Sequence, residues 1–401
     1  MSTLRCSMGA SMTRHAQRGV TLIELMVVLL IGSILSLAVF GVMATFEGRR
    51  RTLGSTADLE QAGTMAMFQI DRWVRSAGSG FVQSNAYAYG CPLYAAKADS
   101  QILPRASALD APFGDVNPGT SGVFRLAPLL ILPGQTKPGA SNEGGGGSTH
   151  TSDVLVLMSG GAGNGSVATL FSGAATAQQL SLVNTVAFSA NDLVLLADRQ
   201  PSASGGVAPC LLTQTTSQTM ALGGNWYKDS VGAVSVAGYS DTAVAIDLGN
   251  VAKSRPPAFQ LVGVGDHNTL FSYDLLQTVD TPLQARAEGV FELHALYGVD
   301  TDGDGKVNDW VSPSSGDYSL AALSAGTSAA AGLLKNIKAV RVGLILRTSL
   351  PEKDVVSPTK LKLFSDIDGG SLTYSRTLAG DEQKYRYRTI EATIPLRNNL
   401  L

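Results

Sequence analysis

The sequence has few charged residues. Asp, Glu, Lys and Arg together make up 15% of its 401 residues, whereas an ordinary globular domain carries about 25%. The formal net charge is −2, which gives no reason to expect a nucleic acid as partner. With 44% hydrophobic residues and 44 glycines, the chain can bury a sizeable core built from short strands and turns.

Motifs of the common enzyme classes are also missing. The sequence contains no G-x-S-x-G nucleophile elbow, no phosphate-binding Gly-Lys loop and no H-E-x-x-H zinc motif. Histidine is scarce, and His150, His267 and His294 stand far apart in the sequence. His294 lies among strand-forming residues, which is more typical of a packed or edge histidine than of a catalytic base. We therefore predict that the protein is not an enzyme.

One long stretch without charge lies near the N-terminus. The 22 residues from Leu25 to Phe46 contain neither a charged residue nor a proline. As an α-helix they would extend over about 33 Å, enough to cross a bilayer core of roughly 30 Å. Glu24 stands immediately before them. Moving an ionised side chain from water into hydrocarbon costs roughly several kcal/mol. The position of Glu24 beside the apolar run therefore needs an explanation.

Three interpretations of this segment compete. A secretory signal would place its small-residue cleavage site after the apolar run, but here Gly19 precedes it. A plain membrane anchor gives Glu24 no role beyond that of a tolerated residue at the membrane interface. The third interpretation rests on the run RGVTLIELMVVLLIG, residues 18–32, which resembles the N-terminus of the type IV pilin-like family.

The resemblance implies how this end of the chain is processed. A leader, residues 1–19, would be cut after Gly19 by a membrane-embedded prepilin peptidase, and Val20 would become the N-methylated first residue. The family more often has Phe at that position. Glu24 would then be the fifth mature residue. In a filament its carboxylate would pair with the Val20 amine of a neighbouring subunit, so that neither charge is left unpaired at low dielectric.

The helix is expected to continue beyond the membrane. From Leu59 to Ala77 the apolar residues recur with a three-then-four spacing, which indicates an amphipathic helix on a globular body. Gly78 is a suitable residue to end it. We therefore predict an N-terminal helix over 20–78, of which 20–46 form the transmembrane segment and later the filament core.

Residues 79–401 are predicted to form one periplasmic head rich in β-strands. The fold class is α+β, with a long N-terminal helix, first transmembrane and then amphipathic, packed on a mostly antiparallel head. Five runs rich in β-branched and apolar residues predict strands. They are residues 152–158, 191–197, 289–298, 339–346 and 388–396.

The chain contains three cysteines. Cys6 falls in the leader and would be removed with it. Cys91 and Cys210 remain, and two cysteines in an exported head favour one disulfide, the alternative being two unpaired thiols.

The stretch GVDTDGDGKVNDW, residues 298–310, has the spacing of a calcium loop. Asp300, Asp302 and Asp304 occupy positions 1, 3 and 5, and Gly305 occupies position 6, where the chain must turn sharply. Oxygen ligands at this density favour a hard cation, so calcium is the predicted cofactor.

The second half of the calcium pattern is incomplete. Position 12 is Val311 and not the usual Glu, so the loop would have to close earlier, through Asn308 or Asp309. The backbone carbonyl of Lys306 would be the ligand at position 7. The alternative is an acidic, glycine-rich hairpin tip held by Asp side-chain turns.

Further segments resemble one branch of the pilin-like family, the PilW-type minor pilins. These segments are residues 68–78, 152–157, 296–305 and 396–398. The head is also much longer than that of most major pilins. The resemblance implies a subunit of the tip or priming complex, which starts assembly of the major pilin with other minor pilins and helps present a tip adhesin.

This resemblance also implies a location. The chain would reside in the inner membrane with a single pass and a periplasmic head, and then in the pilus fibre at the cell surface. Two other functions remain as alternatives: a J-type pseudopilin of type II secretion, which shares the N-terminus but is usually smaller, and a membrane-tethered extracellular binding module or hydrolase.

Overall fold

Helices and strands are both well represented in the fold. The structure, a computed structural model, describes residues 19–84, 88–119, 122–136, 150–161, 167–198, 205–253 and 255–400. Helix accounts for 23% and strand for 35%, which confirms the predicted α+β class. The leader proposed for residues 1–19 lies outside the described residues except for Gly19.

Helix α1 begins at Leu22 and ends at Ser76. The sequence predicted its end two residues later, within the usual uncertainty of helix boundaries. Gly78 adopts a positive φ of 81°, a conformation that favours glycine and terminates helices. The observed end therefore has the predicted cause.

The chain divides into two compact units, residues 1–54 and 55–401. In the first unit, the described side chains of α1 are exposed, and Leu22–Met43 is long and apolar enough to cross a membrane. An apolar helix without protein neighbours in its own unit has its surface available for lipid or for other helices.

The second unit contains the part of α1 from Ser55 to Ser76, whose apolar stripe is buried as predicted. The buried apolar side chains are Leu59, Ala66, Met67, Ile70 and Val74. Gly63 lies in the same stripe, and a Cβ built there would lie 2.0 Å from Leu346 Cδ1. A side chain at this position would force Leu346 and Ile390 to move, so glycine lets the helix lie close to them.

The strands all belong to the second unit. In chain order they are β1 (Leu93–Lys97), β2 (Ser100–Leu103), β3 (Leu129–Thr136), β4 (Ser152–Ser159), β5 (Thr169–Leu170), β6 (Asp192–Ala197), β7 (Cys210–Gln214), β8 (Ser230–Val231), β9 (Val234–Ser235), β10 (Val244–Asn250), β11 (Ala258–Gly265), β12 (Thr269–Asp274), β13 (Leu283–Ala287), β14 (Val290–Val299), β15 (Asp309–Val311), β16 (Ile337–Arg347), β17 (Lys360–Leu363), β18 (Tyr374–Thr377) and β19 (Tyr387–Pro395). Two short helices, α2 (Leu320–Leu323) and α3 (Ser328–Asn336), lie between β15 and β16.

Three larger sheets organise the described part of this unit, beside two two-stranded sheets, β8-β9 and β17-β18. Sheet A has the order β2-β1-β7-β6-β10-β5, sheet B has β13-β12-β11-β4-β3, and sheet C has β15-β14-β16-β19. The pairings of these sheets are antiparallel, apart from the parallel contact of β1 with β7. The head is thus mostly antiparallel, as predicted.

The five strands expected from the sequence correspond to β4, β6, β14, β16 and β19, each within two residues of its predicted ends. Strand β6 shows why these runs are apolar without alternation. Leu193 and Leu195 face the main core shared with α1, whereas Val194 and Leu196 face a second cluster on the other side of sheet A. A strand covered on both faces needs apolar residues at every position.

Candidate functional site

The predicted cleavage point lies in accessible backbone. Gly19 and Val20 are exposed and precede the first turn of α1. A Cβ built on Gly19 would meet no described atom within 4 Å. The fold therefore does not require glycine at position 19. Recognition by another protein is a reason for glycine at this position.

Thr21 and Glu24 form the start of α1. The N–H of Leu25 donates to the carbonyl of Thr21 over 3.1 Å, and the N–H of Glu24 approaches Thr21 Oγ1 at 3.4 Å. Thr-x-x-Glu is the spacing of a capping box, and a carboxylate in the first turn also interacts favourably with the helix dipole. Sequence reasoning missed this second role of Glu24, although the spacing was visible.

Cys91 and Cys210 form a disulfide, in agreement with the pairing expected for an exported head. Their Cα atoms are 5.6 Å apart and both residues are fully buried. The bond fastens the start of β7 to the chain just before β1, the two strands that pair in parallel. With a sequence separation of 119, it removes loop entropy worth about 4–5 kcal/mol from the unfolded chain by the simple loop model.

The acidic loop connects β14 to β15. The carboxylates of Asp300, Asp302 and Asp304 each offer an oxygen, and these oxygens lie within 4.8 Å of one another. Asp300 is buried and accepts from the N–H of Gly303 at 2.6 Å and of Gly305 at 2.9 Å. Although its burial raises the pKa of Asp300, these backbone donors hold that pKa below the ordinary value. The arrangement keeps a charged carboxylate in the loop.

The other predicted ligands, Asn308, Asp309 and Lys306, have partners of their own in or beside the loop. Asn308 Oδ1 accepts from Thr301, from its N–H at 2.9 Å and its Oγ1 at 3.1 Å, which closes the loop. Asp309 is not in the group of adjacent carboxylates, and its Oδ1 accepts from the N–H of Trp310. The ammonium of Lys306 pairs with Asp304 at 3.1 Å. Calcium binding by this loop stays a prediction, and the loop's own hydrogen bonds also fit a hairpin tip.

A buried ionic network on the central strand β14 was not foreseen. Glu292 has no exposed surface and His294 is 7% exposed. The ring of His294 lies between two carboxylates, with Nε2 3.2 Å from Glu292 Oε2 and Nδ1 3.6 Å from Asp153 Oδ1 on β4. The sequence did contain one signal for this network. Glu292 and His294 form an E-x-H pattern in an apolar strand, and residues i and i+2 of a strand lie on the same face.

Two more side chains complete this network. Arg376 Nε lies 3.0 Å from Glu292 Oε1 without the alignment of a hydrogen bond, so the contact is an ion pair. The hydroxyl of Tyr374 donates to Glu292 Oε2 at 2.9 Å, and its ring stacks on that of His294 with centroids 3.7 Å apart.

The network keeps His294 charged. Burial lowers the pKa of His294, but the contacts with the carboxylates of Asp153 and Glu292 outweigh it and raise the pKa to about 9. An imidazolium has no free lone pair with which to accept a proton at neutral pH. His294 is therefore a packed structural cation in a central strand and not a general base.

Comparisons with known proteins identify two regions. The family model for type IV pilus-assembly protein W, PilW, matches residues 262–398, and the prokaryotic N-terminal methylation motif matches residues 14–40. No curated protein and no solved structure matches the chain significantly. The PilW match contains all of sheet C, the acidic loop and every member of the ionic network except Asp153, whereas sheet A and its disulfide lie outside it.

Both matches fall where the structure shows the corresponding features. The methylation motif covers exposed Gly19, Val20 and the start of α1, and the PilW match covers the sheet on which the amphipathic part of α1 packs. The two matches, which together cover less than half of the chain, support a PilW-like type IV pilin.

Proposed function

We propose that this protein is a minor pilin of the type IV pilus, a subunit of the tip or priming complex that starts polymerisation of the major pilin and helps present a tip adhesin. The observation that carries the proposal is the motif from Gly19 to Glu24, exposed at the start of an apolar helix that can cross a membrane. This arrangement serves both storage in a bilayer and later packing against sister helices.

The size of the second unit supports a place at the tip. Residues 55–401 form one compact unit that contains sheets A, B and C. Heads of this size would crowd one another if repeated at every subunit of a fibre, whereas a terminal position has room for one. The partners are then other minor pilins, the first major pilin, the prepilin peptidase and an adhesin.

The proposal also assigns a location. The chain waits in the inner membrane with its head in the periplasm and then moves to the fibre at the cell surface. The disulfide between Cys91 and Cys210 supports an oxidising compartment for the head.

Deletion of the gene tests the role. We expect loss of surface pili and of twitching motility, both restored by the wild-type gene on a plasmid. A J-type pseudopilin would instead leave pili intact and block export through a type II secretion channel, so both phenotypes are measured in the same strain. Normal piliation with a secretion defect would replace the proposal with this alternative.

Changing Gly19 to valine is expected to block leader removal. The branched side chain would sit at the residue whose carbonyl is cleaved, yet it has space in the fold because no described atom lies within 4 Å of the new Cβ. Mass spectrometry of the purified protein should show a mass higher by the whole leader. Gly32→Ala, at an uncrowded glycine inside α1, is the control and should be processed normally. A Gly19→Val product with the processed mass would rule out the peptidase role.

We propose further that the acidic loop between β14 and β15 binds calcium. The supporting observation is the convergence of three carboxylate oxygens from Asp300, Asp302 and Asp304 at one tip of sheet C. Calcium prefers oxygen ligands of this kind and would neutralise their mutual repulsion.

For this loop we expect that Asp302→Ala weakens calcium binding by at least about tenfold, because the site loses one of three charged ligands. Isothermal titration of the full chain with calcium chloride measures the affinity. Asp317→Ala removes an exposed carboxylate outside the loop and should have no effect. If the wild-type protein takes up no calcium, the loop is a hairpin tip held by its own hydrogen bonds.

A further inference from the structure

A cavity of about 810 Å³ opens in the second unit beside the ionic network. Residues of β3, β4 and β14 line it, together with the chain after β15 and the turn before β18. Its size is within the range of roughly 300–1,000 Å³ typical of small-molecule sites. Neither the pilin motif nor the acidic loop explains it.

Asp153 is a fixed acceptor in this cavity. Its Oδ1 accepts from the N–H of Gly134 at 2.9 Å, and its Oδ2 accepts from the N–H of Ala295 at 3.0 Å. These bonds anchor the carboxylate to β3 and β14. A carboxylate has about four lone-pair positions, so acceptor capacity remains for donors on a ligand. About a tenth of this side chain is exposed, with 9% relative accessibility.

The charge of the cavity is balanced. His294, held as an imidazolium, lies 3.6 Å from Asp153 and neutralises it. Lysine and arginine are absent from the described residues that line the cavity. A cationic ligand would gain little from Asp153, because the charge of this carboxylate is already compensated. An anionic ligand would gain little from His294, because the charge of this imidazolium is already compensated as well. The balance favours a neutral ligand.

Hydroxyl groups also line this cavity. They come from separate segments, with Thr151 before β4, Ser312 and Ser314 after β15, Ser319 before α2, and Thr373 before β18. Hydroxyls both donate and accept, so they can match a ligand that does the same. Leu296 and Leu320 add apolar surface to the lining.

We propose that this cavity binds a neutral oligosaccharide. Its hydroxyl groups donate to Asp153 and exchange hydrogen bonds with the serine and threonine hydroxyls, while the C–H faces of its rings pack on the leucine surface. A neutral polyol is the ligand class that combines many hydroxyls, no charge and apolar ring faces. The proposal is independent of the pilus role, because it concerns the head alone.

An array of neutral oligosaccharides, printed beside their sialylated counterparts, tests the proposal. The probe is the full-length chain in a detergent without a sugar head group, and the best neutral ligand is then titrated by calorimetry. Ser314→Trp and Thr373→Trp fill the cavity from two sides and are expected to weaken binding by at least about tenfold. Ser172→Trp, an exposed serine outside the cavity, is the matched control and should bind as the wild type does.

Thermal unfolding checks that each variant keeps the fold, and only folded variants are compared. Neutral ligands retained by the wild type and Ser172→Trp, but lost in either cavity variant, support the proposal. The proposal is overturned if the wild type retains no neutral oligosaccharide, if it prefers the sialylated forms, or if the cavity variants bind as well as the wild type does.

Discussion

Cells that carry Glu24→Ala as their only copy are expected to have no surface pili, although the protein still inserts into the membrane. Without the carboxylate, the Val20 amine of the adjoining subunit would be buried unpaired among apolar helices. Breaking a buried ion pair by removing one partner typically costs about 3–5 kcal/mol, which corresponds to more than about a hundredfold weaker association. Electron microscopy of sheared pili and fractionation of membranes measure the two outcomes.

Glu24→Gln separates this charge from the helix cap. Glutamine serves in a capping box as well as glutamate does, so the bond pattern at Thr21 can persist while the charge is lost. We expect Glu24→Gln to be as defective as Glu24→Ala. Normal piliation in Glu24→Gln would assign Glu24 to the cap alone and refute the pairing with Val20.

The second large effect is expected at Glu292. Glu292→Gln preserves the shape of the side chain but removes the charge that compensates His294 and Arg376. Because Glu292 is fully buried, its neutralisation takes a buried counter-ion from both His294 and Arg376, and we expect a loss of about 3–5 kcal/mol in the free energy of unfolding of the head. Chemical denaturation of the full chain, followed by tryptophan fluorescence, measures this change.

An exposed ion pair provides the matched control. Asp381 lies 2.9 Å from Lys384, and its side chain is 94% exposed. Asp381→Asn should change the free energy of unfolding by less than about 1 kcal/mol, since water screens such pairs. An equally small effect of Glu292→Gln would show that the network does not stabilise the head.

The same network predicts a pH dependence. The pKa of His294 is raised from 6.5 in the unfolded chain to about 9 in the fold, so the charged form stabilises the native state. That contribution, on the order of 3 kcal/mol, is fully present below about pH 6.5 and is lost as the pH rises through about 9. Denaturation curves between pH 6 and 10 should show the decline, and Glu292→Gln should flatten it.

Much of the fold was predictable because its signals are local. Five strands were predicted correctly, namely β4, β6, β14, β16 and β19. Each is a run rich in apolar residues, as expected for a strand that is buried on one or both faces. In α1, the apolar residues of the buried stripe recur with a three-then-four spacing. The division of the strands among sheets A, B and C was not predictable. Pairing of β11 with β4, for example, joins residues about a hundred positions apart, and neither run specifies its partner.

The sites divide in the same way. Three features were found from the sequence: the motif from Gly19 to Glu24, the acidic loop and the cysteine pair. The motif and the loop are short, continuous stretches. The cysteines allow only one pairing once Cys6 is assigned to the leader. The network of Asp153, Glu292, His294 and Arg376 was missed. Its members come from β4, β14 and β18, and only the folded sheets bring them within 4 Å.

The sequence by itself determined the membrane-length helix, the place of Glu24 at its start and the β-rich character of the head. These properties follow from composition, spacing and continuous motifs, which act over a few turns or one strand. Tertiary structure alone decided that His294 is a charged structural residue and that a neutral, hydroxyl-lined cavity opens beside it. Burial and the approach of distant carboxylates set the protonation state of that ring, and neither is encoded in any single stretch of the chain.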